Sequence, residues 1–220
     1  MSKLFKHQID ILGCGRTDTG VHASDYYFHA DLETDDLDLQ DLKYKLNRMM
    51  PSDISVMRIL EVADEAHARF DATSRSYDYV LIFEKDPFLE EFSYKYDQSG
   101  ELDFNKMNEA AELLLEFGDF YPFCKSNTDV NNYKCKMIRS EWRQKDANCW
   151  IYTVEANRFL RGMVRLIVGM CINYASGKIE LDEVRKALED QTRLENAWSV
   201  PAKGLSLVKI NYPYIDPELA

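Results

Sequence analysis

The segment Cys14–Ala23 reads CGRTDTGVHA and sets one acid, Asp18, between Gly15 and Gly20, with Arg16 and Thr17 beside it. Glycines let the backbone turn sharply and let a ligand approach closely. A carboxylate held in such a turn can act as a nucleophile or as a general base. Two other readings compete. An isolated loop Asp often caps its own turn. The tripeptide Asp18-Thr19-Gly20 also matches the D-T-G of aspartic proteases, which need two carboxylates sharing a proton. The sequence carries that tripeptide once, and its polar Arg16-Thr17 lead-in contrasts with the apolar strand of a buried protease site.

Two further clusters interleave cations with aromatic rings. In ARFDATSRSYDYVL, Ala68 to Leu81, Arg69 and Arg75 stand with Tyr77 and Tyr79, which are two apart and share a strand face. Tyrosines so placed stack bases or pack a core. In the segment Asn157–Gly177, Phe159, Met163, Ile167, Met170 and Tyr174 form an apolar stripe at helical spacing, and Arg158, Arg161 and Arg165 form a basic one. A basic helix face is either solvated or set against phosphates. Net charge is −11, which opposes a polyanionic partner, yet residues 125–165 alone carry +5. The local field, not the total, steers a nucleic acid.

The elements that must position these residues follow from pattern. Short strands over 7–13 and 24–30 bracket the glycine-flanked turn, and a helix over 38–49 stops at Pro51. Strands are expected over 54–61 and over 74–84, the latter rich in Tyr, Val and Ile. After an irregular stretch over 86–102, Asp103 caps a helix that ends at Gly118. Strands over 135–144 and 149–156, helices over 158–175 and 181–190, and a strand over 204–212 complete the chain. Strands and helices mix without regular alternation, an α+β pattern with mostly antiparallel sheet. The division expected is an N-terminal half over 1–85 with the acid, a linker over 86–102 and a C-terminal half over 103–215.

Five cysteines without a C-x-x-C pair give neither a disulfide framework nor a zinc site, and the four histidines have no metal-ligand spacing. No metal is expected. Free thiols fit a reducing cytoplasm. No apolar run is long enough to span a bilayer, and MSKLFKHQID is too polar for a secretory signal.

Taken together, the clusters resemble the TruA family of tRNA pseudouridine synthases. The family pattern G-R-T-D-x-G-V-H is met by residues 15–22, GRTDTGVH, with Thr19 where the family often has Ala. Arg69-Phe70 followed by Arg75, Tyr77 and Tyr79 matches its second motif, and FLRGMVRLIVG, Phe159 to Gly169, its third. Residues 204–208, GLSLV, with Pro201-Ala202 ahead, and the patch Phe120 to Lys125 also fit. Four motifs in order make a specific signal. The family carries a strand, a Tyr-Asp-Gly loop and a helix ahead of the first motif, whereas fourteen residues precede Gly15 here. The expectation is a shortened N-terminal half with an unpaired sheet edge.

The resemblance implies the pseudouridine synthase fold, two ferredoxin-like α+β halves around a central cleft, in a cytoplasmic homodimer. It implies isomerisation of uridine in the anticodon stem-loop of tRNA without metal or organic cofactor. Asp18 would be the catalytic carboxylate and Tyr77 would lie against the flipped uracil. Arg165 would pair with Asp18 and fill the gap left by the base. Arg16, Thr17, His22, Arg69, Arg75 and Arg161 would contact the RNA, and Leu205 would line the pocket. The competing functional class is an RNA-binding relative without turnover, which would bind tRNA in a salt-sensitive way and leave uridine unchanged.

Overall fold

A computed structural model describes residues 1–32, 37–97, 101–125 and 132–215. Residues 98–100 of the expected linker and 126–131 of the basic stretch lie outside the described residues. In chain order the elements are α1 (Ser2–Phe5), β1 (Leu12–Gly13), β2 (His22–Ala23), β3 (Phe28–His29), α2 (Leu39–Met49), β4 (Ser74–Ile82), β5 (Tyr94–Lys95), α3 (Phe104–Leu113), β6 (Met137–Gln144), β7 (Cys149–Ala156), α4 (Met163–Ala175), α5 (Leu181–Asp190) and β8 (Leu205–Asn211). Mixed helices and mostly antiparallel strands make the α+β class that the pattern called for.

Internal contacts divide the chain into two compact units. The smaller holds residues 1–15, 27–71 and 213–220. Its core is thin: Leu42 and Leu46 of α2 meet Val56, with Leu4, Phe5, Leu37 and Ile59 packed around them. The spacing of Leu42 and Leu46 puts both on one helix face, and Asp38 caps α2 by accepting from the Gln40 and Asp41 N–H groups. The Asn47 amide brackets Val56, donating to its carbonyl at 2.9 Å and accepting from its N–H at 2.7 Å. That bracket takes both backbone hydrogen bonds of Val56, and the strand expected over 54–61 pairs with no strand among the described residues. The strands expected over 7–13 and 24–30 shrink to the two-residue ladder of β1 with β3.

The larger unit holds residues 16–26 and 72–212. Its sheet runs β2-β8-β4-β7-β6, with β5 added beside β4, so the segment expected to be irregular contributes a strand. Alternation along the strands sorts the faces. Tyr79 and Leu81 of β4 and Trp150, Tyr152 and Val154 of β7 join the main core with α3 and α4, while Val80, Ile82 and Ile151 form a second patch with Leu89. Polar atoms are tied in as well. Ser140 meets both the Ala111 carbonyl at 2.8 Å and the Tyr152 hydroxyl at 2.7 Å, and Asn108 brackets the Trp142 backbone.

Three glycine and bulge positions shape this unit. At Gly169 of α4 a methyl group would come within 1.9 Å of the Trp198 carbonyl oxygen, so only glycine lets that backbone lie against the helix. Gly162 takes a left-handed φ of 70° and starts α4 at Met163. The helix expected over 158–175 is therefore five residues shorter, and Arg158 and Arg161 precede it instead of sharing a stripe with Arg165. Opposite β8, the register of β4 shifts between Ser76 and Tyr77. Such a bulge redirects the side chain beside it. No helix of the described residues is long and apolar enough to cross a membrane.

Candidate active site

Asp18 opens a tight turn. The Val21 N–H donates to the Asp18 carbonyl at 3.1 Å, and Gly20 supplies a φ of 83° that other residues rarely adopt. The chain then enters β2, which pairs in parallel with β8 through His22 opposite Ser206 and Ala23 opposite Leu207. Strand pairing thus fixes the exit of the turn, and the side chain of Asp18 does not cap it. Instead, Asp18 Oδ2 accepts from Arg165 Nη1 at 3.0 Å and lies 3.5 Å from Lys125 Nζ. Among the described residues no hydrogen bond reaches Asp18 Oδ1. The carboxylate is 27% exposed and the guanidinium 15%, so the pair is half sheltered yet open to a ligand.

Arg165 is held from its other side. Its Nε donates to the Val200 carbonyl at 2.7 Å, and the Val200 N–H donates back to the Arg165 carbonyl at 3.3 Å. The segment carrying Val200 is itself fastened. The Tyr79 hydroxyl donates to the Pro201 carbonyl at 3.0 Å, and the Tyr79 ring lies where a side chain on Gly204 would be. Burial raises the Tyr79 hydroxyl far above its ordinary pKa, nearby Tyr94 adds to the rise, and the Arg165 charge opposes it. The phenol therefore stays neutral and keeps its donor. A chain of contacts runs from the buried Tyr79 through Pro201 and Val200 to Arg165 and Asp18.

The remaining expected residues fall in different places. Tyr77 is half-buried beside the register shift of β4 against β8 and meets Phe159 edge-on, ring centroids 5.2 Å apart. Leu205 opens β8, is buried, and pairs with Tyr79 across the ladder. Arg16, Thr17 and Arg161 are exposed. The His22 ring lies tilted against Phe92, centroids 4.6 Å apart, and shares a hydrogen bond with the Glu91 carbonyl at 2.7 Å. Arg75 donates to the Asn157 carbonyl at 3.3 Å. Arg69 belongs to the smaller unit and lies over the Phe70 ring, 5.6 Å from its centroid. The geometry brings Asp18 and Arg165 together, and it adds Lys125, which sequence reasoning left out of the site. The signals for Lys125 are its place at the head of the basic stretch and at the end of the patch Phe120 to Lys125. The described residues hold no cluster of metal-ligating side chains.

The arrangement offers a carboxylate with one oxygen bound to cations and one oxygen open, which is what a nucleophile or a base requires. The profile of a family described as tRNA pseudouridine synthase matches residues 110–213. Over 213 residues the chain is 43% identical to a protein of Bacteroides fragilis named tRNA pseudouridine synthase A, covering 97% of this chain and 84% of that one. It is 44% identical over 210 residues to the protein of that name from Parabacteroides distasonis, covering 96% and 82% of the two chains. To that of Staphylococcus aureus strain JH1 it is 33% identical over 218 residues, covering 98% and 79%.

Proposed function

Because the chain belongs to the tRNA pseudouridine synthase A family, we propose that it isomerises uridine to pseudouridine in the anticodon stem-loop of tRNA, with Asp18 acting on the reacting nucleoside. The reaction breaks the N1–C1′ bond, turns the uracil, joins C5 to C1′ and moves the C5 proton to N1. Nothing is gained or lost, and uracil C5 is itself a carbon nucleophile, so the residues need only cut, hold and move a proton.

The observation that carries this reading is the Asp18–Arg165 pair at 3.0 Å with Asp18 Oδ1 open. The target base leaves its stack at a cost of a few kcal/mol and enters the site. Asp18 Oδ1 then serves as nucleophile or general base, Tyr77 lies against the uracil and takes part in the closing proton transfer, and Arg165 occupies the gap in the stack. Arg16, Thr17, His22, Arg69, Arg75 and Arg161 meet the RNA, and Leu205 lines the pocket. The excess of cations between Lys125 and Arg165 draws phosphates to the centre despite the acidic whole. The protein works in the cytoplasm as a homodimer.

Nucleoside analysis of anticodon stem-loop RNA after incubation tests the proposal. Uridine should give way to an isomer of identical mass, and Asp18→Glu should fail because one methylene misplaces the carboxylate. Binding of the RNA with unchanged uridine would leave a binding protein only. Light scattering in solution should give twice the chain mass of 25.7 kDa, and a single-chain mass would remove the dimer.

A further inference from the structure

Arg165 reaches Asp18 with one nitrogen only. Its Nε is committed to the Val200 carbonyl and only Nη1 meets the carboxylate, so the guanidinium does not grip it with two parallel hydrogen bonds. A carboxylate held at one oxygen by one donor still turns about its own bond. Lys125 supplies a second hold. Its Nζ lies 3.5 Å from the same Oδ2, and its side chain is 34% exposed, well short of free solvent.

Lys125 is itself placed with care. Its backbone N–H donates to the Arg161 carbonyl at 3.1 Å. Its aliphatic stem lies across Gly162, where a methyl group would come within 2.7 Å of Cε, 2.8 Å of Cδ and 2.9 Å of Cγ. The left-handed glycine that starts α4 therefore also leaves the groove in which the lysine stem runs. Arg165 stands three residues further on, so one turn and the helix after it fix both cations.

We propose that Lys125 is a positioning residue for the isomerisation, sharing Asp18 Oδ2 with Arg165 so that Oδ1 is aimed at the nucleoside. The inference rests on the reading of Asp18 as the acting carboxylate. It differs from a phosphate contact, the ordinary task of a lysine in an RNA-binding protein, because the charge is spent on an acid of the protein.

Single-turnover rates with saturating tRNA, and tRNA affinity across a salt series, separate the two roles. Lys125→Met keeps the stem over Gly162 and removes the charge. It should lower the saturated rate constant by about ten- to a hundredfold, with affinity and its salt slope as in wild type, and Lys125→Arg should restore most of the rate. An unchanged rate, or weaker and less salt-sensitive binding at an unchanged rate, overturns the inference. Should Lys125→Met fail to fold by circular dichroism, Lys125→Gln reads the same rate constant. Wild type and Asp18→Ala run alongside: wild type without turnover removes the reading of Asp18 and this inference together, whereas a normal wild type with an indifferent Lys125 removes the inference alone.

Discussion

Two of the places where the chain sets cations beside rings are built in opposite ways. Around Arg165 every group has a partner of fixed geometry, from Tyr79 through Pro201 and Val200 to the guanidinium and Asp18. Around Arg69, in the smaller unit, His29, His67 and Phe70 form a row of rings at 4.7 and 4.3 Å, yet Phe70 is 74% exposed and Arg69 lies over it in solvent. If Asp18 is the acting carboxylate, as proposed above, the buried framework suits it, because a reacting atom tolerates little misplacement. If Arg69 meets RNA, as also proposed, charge and ring area are what such a surface gains from.

That contrast can be broken or sharpened by substitution. The largest effect is expected at Arg165→Met, which strips the main partner from Asp18 and should slow turnover about a hundredfold or more, read as single-turnover rate. Gly169→Ala drives a methyl group into the Trp198 carbonyl and should cost about 1–3 kcal/mol in urea unfolding, with turnover falling because Val200 moves. Tyr79→Phe removes one buried donor and should cost about 0.5–1.5 kcal/mol at neutral pH. That difference has a pH signature. The Tyr79 hydroxyl is raised in the folded protein, so its contribution is complete below the ordinary tyrosine value of about 10 and declines above it, where the unfolded chain ionises first. Tyr79→Phe should therefore lose less, relative to wild type, as the pH climbs past that value. Arg69→Ala should be the mildest, within about 0.5 kcal/mol of wild type in stability, while the salt slope of tRNA binding drops by about one. A large loss of stability at Arg69, or none at Gly169, would erase the contrast.

Much of the framework was legible beforehand. Period-two alternation in β7, the Asp103 cap of α3 and the bounds of α5 follow from local chemistry. Asp18 and Arg165 stood out because each lies in a motif. Lys125 ends the patch that begins at Phe120, but its link to Asp18 depends on the groove over Gly162 and on an acid 107 positions away, neither of which leaves a local pattern. Periodicity also sets the start of α4 too early, for a related reason. Helical spacing continues through Phe159, but the left-handed turn at Gly162 ends it, and periodicity is blind to a single dihedral. The parallel pairing of β2 was also hidden, since a two-residue strand has no period to detect.

Asp18, steadied by Arg165, is proposed as the group that transforms the nucleoside. Tritium release from tRNA labelled at uracil C5 measures it directly. Wild type should release tritium and Asp18→Ala should release none while still binding tRNA. Release by Asp18→Ala at the wild-type rate would contradict the account.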